Sequence, residues 1–268
     1  MKFSSRCRSI LLPFVFALVL AAYSYLIVLS LGSGWSFPSL LPDRFDYSPW
    51  KHFWADRDGL RIAALRSLGI SLVVSAISTT FGLSAARSIR ETRSRWGLYI
   101  AYLPFVMSPV VIGVCLFDLT IRLGIAGTVF GVIATQSMFA TAFTTVFFSE
   151  LWSPQVDRYE QLVTTLGGGR ISVWCHAILP SIRGLVVVCV IETALFSWLD
   201  YGIVSIIGGG NVKSLTVHLF AYIREASVNQ AAQSSLVLLF PAMVGMLLMI
   251  GLYVISVGQK SRTNSRLP

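Results

Sequence analysis

The chain has 268 residues, 55% hydrophobic and 12% charged, with a formal net charge of +9 and a mean hydropathy of +0.73. Soluble domains carry about 25% charged residues, so half that fraction, spread along the whole length, excludes an ordinary soluble domain. The excess positive charge needs no nucleic-acid partner, because the basic residues flank apolar runs, where anionic membrane lipid attracts them.

A membrane-spanning helix needs about 20 predominantly apolar residues, and six segments qualify: 10–31, 60–86, 97–121, 125–149, 182–207 and 231–257. The first follows Lys2, Arg6 and Arg8 and contains Ala21-Ala22, features it shares with secretory signals. Its apolar run continues to Leu31, beyond the roughly 7–15 residues of a signal, and predicts an uncleaved span. The loop 37–58 is long enough for a short amphipathic helix. It could seat at the membrane surface or touch a partner outside, and Trp35, Trp50, Trp54 and Trp96 lie near expected interfaces. The third and fourth runs are divided only by Arg122-Leu123-Gly124. Pro104, Pro109 and Pro241 fall inside spans and predict kinks. Each run is continuous rather than a ten-residue alternation, which argues against a β-barrel. A helix pairs its own backbone in lipid. The expected fold class is therefore an all-α, polytopic membrane protein with six transmembrane helices. Its expected parts are residues 1–59 (first helix and outer loop), 60–258 (core, with a loop at 153–180) and 259–268 (a basic tail).

Lysine and arginine set orientation through their excess on the cytoplasmic side. Lys2, Arg6 and Arg8; Arg87, Arg90, Arg93 and Arg95; Arg158, Arg170 and Arg183; and Lys260, Arg262 and Arg266 all fall on one side of a six-span chain. On the other side, Asp43, Asp46, Asp56 and Asp58 offset Arg44, Lys51 and Arg57, and Arg122, Lys213 and Arg224 also fall there. Both termini are expected in the cytoplasm. Cys7, Cys115, Cys175 and Cys189 lack C-x-x-C spacing, and His52, His176 and His218 are scattered, so neither a disulfide nor a metal site is expected.

The loop after the fourth run is too long for a simple hairpin. Pro154 suits a first helical turn, with Ser153 as its cap. Val156, Tyr159, Leu162, Val163 and Leu166 recur every three or four residues and share one helical face. Gly167-Gly168-Gly169 ends that helix. A second short helix over 171–177 is expected to stop at Pro180.

Here the chain resembles the inner-membrane permease subunits of bacterial binding-protein-dependent ABC transporters, whose hallmark is the EAA loop. Gly167 matches the family glycine and Leu166 the leucine often preceding it. Trp174 falls where an aromatic is common, and Ile178-Leu179-Pro180 follows at the family distance. The acidic position departs from the pattern: Gln161, Leu162 and Val163 stand in the E-A-A register and Glu160 is one residue early. Drift of this kind is similar to the branch serving iron, thiamine, phosphonate, sulfate and polyamines. The likeness covers about 60–257, and includes Ser197-Trp198-Leu199-Asp200-Tyr201-Gly202, Gly208-Gly209-Gly210 and Ser214-Leu215-Thr216-Val217.

The resemblance implies a five-helix type I importer core plus one N-terminal helix, in the bacterial cytoplasmic membrane. It implies an ATPase-coupling loop formed by Tyr159, Glu160, Gln161, Leu162, Val163, Leu166, Gly167, Gly168, Arg170, Trp174, Leu179 and Pro180. It implies partners: ATPase subunits, a second permease subunit (a heterodimer rather than a homodimer), an extracytoplasmic solute-binding protein and membrane lipid. ATP would be bound in the partner, and this chain would bind no cofactor directly and catalyse no reaction. No P-loop pattern or nucleophile elbow occurs in the sequence. Ionisable residues inside a membrane are costly and mark pathways or helix contacts, so Asp200 with Tyr201, then Glu192, then Asp118 are candidates to line a translocation path. A stand-alone secondary carrier or channel is the rival reading. It would call for internal inverted repeats, and the sequence shows none.

Overall fold

The computed structural model describes residues 20–33, 44–55, 59–92, 95–151 and 154–264. Lys2, Arg6, Cys7, Arg8, the start of the first apolar run, Trp35, Asp43, Asp56, Arg57, Asp58, Arg93, Ser153 and Arg266 lie outside the described residues. The described chain is nearly all helix. The departure from an all-α description is a short antiparallel pair, β1 (Gly32–Ser33) with β2 (Arg44–Phe45).

In chain order the helices are α1 (Leu20–Leu31), α2 (Ser48–Ala55), α3 (Leu60–Thr92), α4 (Arg95–Val106), α5 (Pro109–Arg122), α6 (Val129–Leu151), α7 (Pro154–Thr165) and α8 (Arg170–Ser172). A π-helical turn (Val173–Ile178) leads into α9 (Leu179–Leu199), followed by α10 (Gly202–Ile207), α11 (Leu215–Arg224) and α12 (Val228–Asn264). Among the described residues, four stretches are long and apolar enough to cross a membrane: Leu60–Thr92, Val129–Glu150, Val173–Leu199 and Val228–Met249. The bent pair Trp96–Val106 and Val110–Arg122 makes a fifth if counted as one span, and the described part of α1 is apolar but shorter.

Helix α3 shows the pattern that lipid imposes. Its small polar residues Ser71, Ser75 and Ser78 are buried, while Leu65, Leu72 and Phe81 are exposed. The hydroxyls of Ser71 and Ser75 donate to Leu68 O (2.9 Å) and Leu72 O (3.0 Å) of their own helix. Small residues inside let backbones approach, and large ones outside meet hydrocarbon.

Two of the expected spans are interrupted. The third bends by 104° between α4 and α5. Pro104 removes a hydrogen bond in the last turns of α4. Ser108, held extended before Pro109 (φ −70, ψ 152), caps α5 by accepting from Val111 N. Pro109 is thus a helix start, not a kink. The fifth span ends at Leu199 rather than Ile207: Asp200 turns extended (ψ 123) and α10 begins anew at Gly202. The expected stop at Pro180 is also corrected. Pro180 sits in the first turn of α9, where a missing N–H costs little. The π turn before it carries Leu179 N–H to Trp174 O, so the chain stays helical from Arg170 to Leu199.

The chain divides into two compact units, Met1–Arg66 with Ser214–Phe240, and Ser67–Lys213 with Pro241–Pro268. In the first, the Asn229 side-chain amide donates to the carbonyls of Ser30 (3.2 Å) and Gly32 at the end of α1. Asp46 accepts from Ser48 N (2.8 Å) and starts α2, the short helix expected in the outer loop. In the second unit, α3 and α6 touch at Gly82. A methyl there would overlap the Thr144 side chain, whose hydroxyl donates to Ser78 O (2.7 Å). Phe139 of α6 stacks on Phe196 of α9 with ring centroids 4.8 Å apart.

Candidate functional site

The loop between α6 and α9 belongs to the second unit and has two unlike faces. Val156 (2% exposed) enters a core cluster with Leu83 and Ala86 of α3, Phe148 of α6, Val173 and Ile178 of the π turn, and Ile182 of α9. Val163 and Trp174 pack against the same cluster. Burial of Val156 alone contributes about 1.5–3 kcal/mol. Tyr159, Leu162 and Leu166 point away, 54%, 56% and 79% exposed. The five apolar positions that share a face in the sequence therefore split: two hold the helix down and three are left outside. Gln161 and Leu179 are also exposed, as is Pro180.

The helix ends in a Schellman cap. Gly167 N–H donates to Thr164 O (3.0 Å) and Gly168 N–H to Val163 O (2.9 Å). Gly167 has φ +80 with nothing within 4 Å of a built Cβ, so its role is conformational. Gly168 is the close approach: a Cβ there would lie 2.6 Å from Val163 Cγ1 and 2.8 Å from Val163 O. Arg170 opens α8.

Charges secure the inner face. Arg87, near the end of α3, donates from Nη2 to Glu160 (2.5 Å) and from Nε to Glu91 (2.7 Å). Its guanidinium lies over the Trp174 ring, 5.0 Å from the centroid. One turn on, Arg90 donates from Nε to Asp157 (3.2 Å) and pairs with it again through Nη2. The Arg90 and Asp157 side chains are 41% and 36% exposed, and such a pair is worth about 0–1 kcal/mol. Arg87 is 9% exposed, and hydrogen bonds from a buried charged group are worth about 1.5–3 kcal/mol each. Glu160, one residue off the family register, thus faces inward. The sequence reading used Arg87, Arg90 and Asp157 only as orientation and loop charges. The overlooked signal is matching spacing: two arginines three apart on α3, two acids three apart on α7.

The pathway candidates lie elsewhere in this unit. Gln136 of α6, fully buried, donates from Nε2 to Asp200 Oδ2 (2.9 Å), and its Oε1 accepts from Ser197 Oγ (2.7 Å). Ile203 N donates to Asp200 Oδ1 (3.4 Å), so the carboxylate also caps the start of α10. Tyr201 is half-buried beside it, and Glu192 is half-buried two turns back on α9. Asp118 is exposed and pairs with Arg122 (2.7 Å), a surface contact one turn along α5. The sequence reading missed Gln136, although an amide within an apolar run was its signal. Among the described residues no group of three or more His, Cys, Asp or Glu is placed to hold a metal ion.

The fold is that of a polytopic, predominantly helical membrane protein. It is similar to a chain in the crystal structure of a bacterial ABC transporter involved in the import of the acidic polysaccharide alginate, with a TM-score of 0.58 and 17% identity, over 97% of this chain and 99% of that one. At that identity the likeness is one of fold. No family model matches the chain, and no curated protein matches it significantly.

Proposed function

We propose that this chain is a permease subunit of an ABC importer in the bacterial cytoplasmic membrane. It forms half of a translocation pathway and couples to an ATPase through the loop 153–180. The observation that carries the reading is the split of α7. Its inner face is fixed to α3 and to the core, while Tyr159, Leu162 and Leu166 form an apolar outer face between two membrane-crossing helices. A groove on an ATP-binding subunit is the partner that such a face fits, and the shared fold with a known ABC transporter supports it.

On this reading six spans place both termini in the cytoplasm, with the α4–α5 pair as one bent span. A second permease completes the pathway, as a heterodimer, and an extracytoplasmic binding protein delivers solute. ATP binds in the partner, and closure of two ATPase subunits rocks the membrane helices between inward-open and outward-open states. On the same reading Asp200 and Tyr201, just past the end of α9, and Glu192 within it would line the pathway.

The test is co-purification of the tagged chain with its co-expressed ATPase. Leu162→Glu places a charge on the apolar face without touching the core. It is expected to weaken ATPase retention at least tenfold while membrane insertion persists. Undiminished retention would count against this docking face.

A further inference from the structure

We propose that Arg87 makes the coupling helix α7 and the membrane helix α3 move as one body. The inference rests on the coupling reading above and goes beyond it, because it names the element that receives the displacement. Three separate segments converge on this side chain. Glu160 comes from α7, Trp174 from the π turn, and Glu91 from α3 itself. Arg87 is 9% exposed, and its Nη1 is buried with no hydrogen-bond partner among the described residues.

The geometry makes independent sliding costly. If α7 moved without α3, Glu160 would withdraw and leave a buried guanidinium undercompensated, which costs far more than breaking an exposed pair. The planar guanidinium bonds two carboxylates through different nitrogens with its carbon over the indole, 5.0 Å from the ring centroid, a fixed arrangement that a compact ammonium does not reproduce. Arg90–Asp157, one turn along both helices, is a second and more exposed rung that fixes the register. Neighbouring Ala86 and Leu83 of α3 share a core with Val156, so the polar clasp and the apolar contact hold the same two helices. Glu160 is thereby spent inside the permease, and the ATPase-facing side of α7 is left to its apolar residues and Gln161.

The experiment is a distance measurement by pulsed electron resonance. Spin labels are placed at exposed Thr80 of α3 and exposed Thr165 of α7, in a background with the four cysteines replaced and the chain in lipid nanodiscs. The parent should give one narrow distance distribution, unchanged when co-purified ATPase is trapped with ATP and vanadate. Glu160→Gln, nearly isosteric, and Arg87→Ala should each broaden the distribution at least twofold, with Arg87→Lys between them. An unchanged width in Glu160→Gln and Arg87→Ala would overturn the clasp. So would a parent distribution that splits on trapping. Failure of any ATPase to co-purify would instead count against the coupling reading, and the widths measured on the permease alone would still decide the clasp.

Discussion

Neighbouring glycines at the end of α7 do different work, and substitutions separate them. Gly167 has φ +80 and open space around it. A side chain fits there but the backbone disfavours it by about 1–2 kcal/mol. Asn tolerates that conformation and a β-branched residue does not, so Gly167→Asn should hold α7 better than Gly167→Val. Hydrogen exchange across Pro154–Thr165 reads the difference, and equal protection would contradict the cap. Gly168→Ala should loosen the same amides through a clash with Val163 rather than through strain. The glycine cluster was legible in the sequence as a helix stop. Which glycine turns and which packs was not, because that depends on where Val163 falls across the cap. Glu160 shows the same limit. Its register was readable, but its partner is 73 residues away in sequence.

At the scale of elements, the break between α9 and α10 depends on one buried polar cluster. Gln136→Leu is close in size but removes the amide that joins Ser197 to Asp200. Leaving the carboxylate without that donor should cost about 1–3 kcal/mol, seen as a lower melting temperature in detergent. Gln136→Glu should be worse, since it sets a second acid against Asp200. An unchanged melting temperature for both variants would contradict a structural role for the relay. Long apolar helices were plain from composition, and the helix α7 from its spacing. The breaks were harder. A hydropathy run continues through Asp200 because one acid hardly changes a window, and the apolar runs on either side of Ser108 look continuous. Pro180 misled in the other direction: a proline tolerated in a first helical turn reads, without the π turn before it, as a stop.

At the scale of the whole molecule, the proposed orientation rests on the basic residues and the candidate spans. In the proposed orientation the α4–α5 pair is one bent span, which would keep the loop 153–180 on the side of Arg87 and Arg90, in agreement with their ion pairs to Glu160 and Asp157. A reporter fused after Pro268 should therefore report the cytoplasm, and one inserted at Gly124 the outside. The opposite signals would overturn the proposed orientation. The shared fold extends over nearly the full length of the alginate-transporter chain, so the loop lies within a fold common to both chains rather than standing as an isolated motif. The most direct measurement of the central claim is a photo-crosslinking amino acid at Leu166, just past the end of α7 and the most exposed of the three outer apolar residues. The trial uses membranes in which the chain is co-expressed with its ATPase. A crosslink to the ATP-binding subunit from Leu166, and none from the buried Val156, is the predicted result. Crosslinking to lipid alone from Leu166, with the ATPase present and assembled, would contradict the docking of this loop.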